Sequence, residues 1–343
     1  MSLPESRHAT QKSRSNLNHQ TTTVHLPNAH PSTSTAPSFI QTSTPRGTSM
    51  AFNVGTPSTI EHIQRPHSRR LLVMNLLMTA FHFGMVLVTC AVGNLALSAP
   101  VYHTKLKFTR NNETTGFALV PTSEYLSDFP LTVMTALFFA ISATFHFGNA
   151  TIWRRQYMHW LDNKKSVTRW VEYYFSASVM ILLIGYATAL RSVVEMLYAF
   201  VLVATTMTFG WVSDEMNRPK SEDEWENPSV FSRLIPHLLG YIPMITVWIG
   251  LIFTLAKNTT ECGPPTYVYV LVIGELILFF SFGVPQLYQL ISPPKNYIYG
   301  EYVYQILSLV AKGTLGGILL AFVLLYDTFD DSVTESIPGN CTI

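Results

Sequence analysis

From Leu71 onward the chain alternates between long apolar stretches and short polar ones. The apolar segments are Leu71–Ser98, Pro130–Ile152, Thr168–Leu190, Val193–Val212, Leu234–Ala256, Thr266–Leu290 and Tyr302–Tyr326. Each is long enough as a helix to cross roughly 30 Å of hydrocarbon at about 1.5 Å per residue. The pattern predicts an all-α membrane protein of seven transmembrane helices. Between the first two segments the period changes. Leu106 and Phe108 alternate with Lys105 and Lys107, a turn-like Asn111–Gly116 follows, and then the run Phe117–Val120. That predicts a short β-hairpin in the first extracellular loop.

Residues 1–70 read as a different polymer. Thr21–Thr59 is rich in Ser, Thr, Pro, His and Asn and has no apolar period, so it is expected to be a disordered tail. It has no apolar core of a signal peptide. Its basic, acid-poor character also fits a transit peptide, though without a clear amphipathic helix. The expected organisation is a tail over 1–70, a seven-helix bundle over 71–326 and a short outer tail over 327–343.

Composition agrees. Charged residues are 13% of the 343, about half of the roughly 25% usual in soluble domains. The net charge is +1, so no field of one sign exists to hold nucleic acid. The distribution of that charge predicts orientation. Sixteen Lys and Arg fall in the N-terminal tail and the loops on its side, against five on the opposite side. By the positive-inside rule the N-terminus is cytoplasmic and the C-terminus outside. The sequons at Asn112, Asn258 and Asn340 fall on the predicted outer side, and the one at Asn149 on the inner side. Cys262 and Cys341 also fall outside, where a disulfide between them is open to test.

Polar residues inside the apolar runs are the candidate chemistry. Lys312 lies about 11 residues into its span, roughly 16 Å deep, too far to snorkel to the headgroups. Two readings stay open: a structural or transport ion pair, or an amine that condenses with an aldehyde. Glu172, early in the third span, is its natural partner. Glu172 and Ser176, Ser308 and Lys312, and Ser142 and His146 each stand four residues apart and share a helix face. His82 adds a polar group from the first span. Singly each is more often an interhelical hydrogen bond; together they predict a polar cavity beside Lys312. Tyr173, Trp248, Phe279 and Phe282 are aromatic candidates for its walls, with membrane packing as the plainer role. Pro285 is expected to bend the sixth span. Gly313 and Gly317 form a small-xxx-small pair beside the lysine. Glu275 lies within the sixth span and Glu195 near the outer end of the fourth; an intramembrane carboxylate is a functional candidate by default, and the plainer reading of Glu275 is an outer-end glutamate hydrated near the headgroups.

The words Arg169-Trp170-Val171-Glu172-Tyr173 with Ser176 and Ser178, Ser142-x-x-x-His146 and Ser308-x-x-x-Lys312-Gly313 resemble heliorhodopsin, an inverted branch of the microbial-type rhodopsins. The resemblance covers about residues 70–330. It implies a seven-helix rhodopsin bundle with all-trans retinal on Lys312 as a protonated Schiff base and Glu172 as single counterion, Ser308 standing where pumps carry a second carboxylate. It implies that His82 and His146 line an inner polar cavity, and that Tyr173, Met207, Trp248, Phe279 and Gln286 line the retinal pocket. It matches Glu215 to a carboxylate at the inner end of the fourth span. It further implies a slow photocycle, a signalling role with a cytoplasmic partner, and a homodimer in the lipid bilayer. A light-gated passive proton conductor using Glu172, Glu275 and the histidines His82 and His146, with Glu275 and Glu215 as candidate proton-path carboxylates, is the alternative. A seven-helix receptor or transporter without retinal is a third reading, and a receptor would usually place its N-terminus outside. The spans lack the His/Asp clusters of a membrane metal hydrolase, so neither a metal site nor an enzyme is expected.

Overall fold

An apolar run inside lipid must satisfy its backbone within itself, and helix does so. In the computed structural model, which describes residues 58–110, 117–217, 223, 230–257 and 263–327, seven helical stretches among the described residues are long and apolar enough to cross a membrane. The first is α1 (Ser58–Val92), followed by strands β1 (Ser98–Arg110) and β2 (Phe117–Pro130). Then come α2 (Leu131–Ala150), the short α3 (Arg154–Asp162), α4 (Val167–Ala187) and α5 (Val193–Val212), which runs into a π-helical turn at Ser213–Asn217. The chain continues with α6 (Val230–Lys257), α7 (Thr266–Ser281), α8 (Gly283–Ile291) and α9 (Tyr297–Phe322). Residues 1–57 and 328–343, Asn112, Asn258, Cys262 and the turn 111–116 lie outside the described residues.

Several ends differ from the sequence reading for local reasons. α1 starts at Ser58, so residues 58–70 are helical rather than tail. It stops at Val92 rather than reaching Ser98. There Asn94 takes over as a tie: its N–H donates to Leu324 O at 2.7 Å, and its carbonyl accepts from Thr132 Oγ1 at 2.5 Å. The sixth span breaks at Phe282 into α7 and α8. Pro285 lacks an N–H and crowds the carbonyl four residues earlier, at Ser281, which places the break where it is found. α3 was not anticipated. Its Tyr157 and Leu161, one turn apart, are buried with Leu71 and Tyr297.

The hairpin is longer than its sequence signal. β1 and β2 pair antiparallel from Ser98↔Pro130 to Arg110↔Phe117, with a bulge at Val101/Tyr102. Its root, at Ala99, Val101 and Phe129, joins the main core. Tyr102 N–H donates to Arg191 O at 2.8 Å, tying it to the start of α5. The bundle thus has a hairpin face and an opposite face carrying α3. α4 is the central helix: 72% of its apolar window is buried, against 22% for α1. Residues projecting from α4 therefore meet side chains from several helices at once.

Candidate retinal-binding site

Glu172 on α4 and Lys312 on α9 meet in the middle of the bundle. Lys312 Nζ donates to Glu172 Oε1 at 2.6 Å and to Ser308 Oγ at 3.0 Å. Both charged side chains are buried. An ion pair out of water is held together because separating it would strand a charge in a low-dielectric medium. Ser308 and Lys312 stand one turn apart on α9, so the helix itself aims both at the same point.

The second oxygen of Glu172 faces α2 and α1. His146 Nε2 lies 3.9 Å from Glu172 Oε2, and His146 Nδ1 is 2.9 Å from Asn75 Oδ1 on α1. The His82 ring stacks on His146 with centroids 5.6 Å apart and planes at 13°. Ser142 faces Glu172 and also donates to Phe138 O at 3.2 Å. The sequence pairs therefore converge as expected, and Asn75 completes them. Asn75 stands four residues before Thr79, a polar i, i+4 spacing that could have found it.

An apolar cavity with about 350 Å³ of empty space ends at Lys312, with Ser176, Ser308, Tyr173, Met207, Phe279 and Phe282 in its wall. Ser176 Oγ is buried without a hydrogen bond there. A neighbouring cavity of about 490 Å³ shares Tyr173, Met207, Phe279 and Phe282 and continues to Gln286 on α8 and to His237, Tyr241 and Met244 on α6. Trp248 differs from its expected place. It lies behind the wall, edge-on to Phe279 with centroids 5.6 Å apart, and Met244, one turn earlier, faces the cavity instead. Of the expected glycine pair, Gly313 packs against Phe81 of α1, while Gly317 meets nothing within 4 Å and its neighbour Gly316 packs against Phe139.

Below the cavity, toward the α3 face, lies a second ionic cluster. Arg169 pairs with Asp214 at 2.9 Å and with Glu301. Trp170 Nε1 donates to Asp214 Oδ2 at 2.8 Å, and Tyr157 and Ser166 each donate to Glu301 Oε1 at 3.1 Å. The Arg169 guanidinium lies 3.9 Å from the Tyr304 ring centroid. Burial, followed by the Glu301 charge, holds the Tyr157 phenol well above its usual value. Glu215, expected at the inner end of the fourth span, does not join this cluster. Its half-exposed side chain pairs with Lys165 at 2.8 Å, and its neighbour Asp214 turns inward in the π-helical turn. Glu275 is fully buried on α7 against the backbone of Leu315. It lies one turn toward the hairpin face from Lys312 and outside both cavities.

The sequence profile of heliorhodopsin matches residues 71–324. The chain belongs to the heliorhodopsin family. Its fold is similar to the crystal structure of the transmembrane domain of Salpingoeca rosetta rhodopsin phosphodiesterase, at a TM-score of 0.53 and 12% identity, over 77% of this chain and 88% of that one. No curated protein matches the chain. Membership in the heliorhodopsin family implies a retinal chromophore and a surrounding bilayer. The residues fit that group: a lysine amine in the wall of an apolar, aromatic-walled cavity, a buried carboxylate beside it and a second cavity that shares part of the same wall.

Proposed function

We propose that this heliorhodopsin is a light sensor that carries retinal on Lys312 through a protonated Schiff base, all-trans in the dark, with Glu172 as its single counterion. The observation that carries this reading is the 2.6 Å approach of Lys312 Nζ to Glu172 Oε1 at the end of an apolar cavity. Retinal, when bound, supplies an aldehyde for the amine and a polyene that isomerises on absorbing light. The protein's residues do the rest. Glu172 keeps a negative charge beside the nitrogen, and Ser308 Oγ lies within hydrogen-bond reach of it. Tyr173, Met207, Phe279 and Phe282 exclude water, which strengthens that pairing. His146, 3.9 Å from the far oxygen of Glu172, stands where it can take up a proton displaced from the pair.

The proposed output is signalling rather than pumping or enzymatic turnover, from a homodimer with a cytoplasmic N-terminus and a partner on that side. What supports it is the continuity of contacts from the cavity to the α3 face. Trp170 and Tyr304 line the larger cavity and also touch Arg169 or Asp214. A second reading, a light-gated passive proton conductor, draws on Glu275, a buried carboxyl on the hairpin side of Lys312.

The test is expression with all-trans retinal. A visible absorption band that hydroxylamine bleaches and Lys312→Ala abolishes is expected. Folded protein without colour would overturn both readings. Whole-cell recording under illumination separates them: passive photocurrents that vanish in Glu275→Gln would favour the conductor.

A further inference from the structure

The larger cavity has an apolar wall with one polar corner. On α8, Gln286 Nε2 donates to Gly210 O at 3.0 Å, which fixes the amide with its oxygen toward α6. That oxygen is 2.9 Å from His237 Nδ1. An amide oxygen only accepts, so Nδ1 carries the proton, and in a neutral imidazole Nε2 is left as a bare acceptor. Among the described residues no hydrogen bond to Nε2 is formed. The same edge of the ring faces Gly283: His237 Cε1 lies 3.6 Å from where a Cβ would stand on that glycine. Tyr241 lies edge-on to His237 with centroids 5.2 Å apart, and its hydroxyl occupies the space that any side chain at position 283 would need. Gly283 thus leaves room for the Tyr241 hydroxyl, and His237 and Tyr241 line the same cavity beside it.

This corner lies at the far end from the amine. Lys312 lines only the smaller cavity, and the two cavities share the Tyr173, Met207, Phe279 and Phe282 wall. A long ligand fixed at Lys312 runs past that wall into the larger cavity. From Met244 to His237 that cavity follows α6 for about 10 Å at roughly 1.5 Å per residue. Few polar groups in an apolar pocket set orientation and choice of ligand. A hydroxyl group can donate to Nε2 and accept from the Tyr241 hydroxyl; a plain hydrocarbon ring does neither.

We infer that His237 and Tyr241 select a retinal bearing a hydroxyl group on its ring, in preference to unsubstituted retinal. The inference rests on retinal being the ligand of Lys312. One net hydrogen bond corresponds to a preference of about two- to tenfold.

The test uses the full-length chain purified without chromophore and given equal amounts of all-trans retinal and all-trans 3-hydroxyretinal at limiting protein. Bound chromophores are then extracted and quantified by chromatography. An excess of the hydroxylated form of about two- to tenfold is expected. In Tyr241→Phe and in His237→Phe the ratio should move toward one. If His237→Phe does not fold, Tyr241→Phe alone carries the comparison. Equal uptake by the unaltered protein, or a preference that persists in the folded variants, would overturn the inference while leaving retinal binding intact. Uptake of neither aldehyde would overturn the function proposed above and this inference with it.

Discussion

Glu301 and Lys312 stand about three turns apart on one face of α9, and they grip α4 with charges of opposite sign. Glu301 holds Arg169 and Lys312 holds Glu172, themselves close to one turn apart on α4. α4 and α9 are thus pinned at two levels, one at the proposed chromophore site and one near the α3 face. Between the two pins, the Tyr173 hydroxyl donates to Tyr304 O at 3.1 Å.

The lower pin should dominate stability on the α3 face. Arg169→Gln leaves Glu301 and Asp214 buried without their cation, and breaking a buried pair from one side costs about 3–5 kcal/mol. A clear drop in the melting temperature of the purified protein is expected. A melting temperature unchanged in Arg169→Gln would show that water reaches this cluster.

Adjacent acids should behave differently. Asp214→Asn weakens a buried contact to both Arg169 and Trp170. Glu215→Gln removes only a half-exposed pair with Lys165, which is worth about 0–1 kcal/mol. Thermal unfolding of the two variants side by side should show a marked loss for Asp214→Asn and almost none for Glu215→Gln. The reverse order would mean that the π-helical turn faces the other way.

That contrast also shows what the sequence carried and what it did not. Lys312 was legible because a charge deep in an apolar run has few bland explanations; Glu172 and His146 were legible as groups able to pair near it, and their i, i+4 serines gave the face. Arg169 and Glu301 were not, because charged residues near the ends of spans look like ordinary flanking groups. Whether Asp214 or Glu215 points inward depends on the π-helical turn, which shifts the register by a fraction of a turn. Trp248 and Met244 differ by one turn of α6, and only the packing against Phe279 decides which of them reaches the cavity. α3 escaped because its Tyr157 and Leu161 stripe is short.

Alkaline pH should destabilise the α3 face through Tyr157. Burial and the nearby Glu301 raise its folded pKa, so the stabilisation is full below about pH 10 and is lost as pH rises beyond that unfolded value. Stability measured between pH 9 and about 11 should fall less steeply in Tyr157→Phe than in the unaltered protein. Equal slopes would remove Tyr157 from the account.

Orientation is open to a direct test. In a glycosylating membrane, Asn112, Asn258 and Asn340 should be the usable sequons. Asn149 should stay unmodified, being buried and accepting from Trp153 Nε1 at 2.9 Å. An epitope at residue 1 should be reachable only after permeabilisation. Labelling of that epitope on intact cells would reverse the assignment.

Glu172→Gln should move the visible band to longer wavelength, since the carboxylate no longer stabilises positive charge at the nitrogen end of the ground state. Added chloride should partly restore the original colour by supplying an anion. His82→Phe should shift the band much less, because His82 meets Glu172 only through His146. An unchanged spectrum in Glu172→Gln would assign the counterion role elsewhere, with Glu275 the next carboxylate to test.

The covalent attachment itself can be read from mass. Protein loaded with all-trans retinal is reduced with borohydride, digested, and its peptides weighed. The account predicts a retinyl increment on the peptide containing Lys312 and on no other lysine. An increment on a different lysine, or none from a visibly coloured sample, would contradict it.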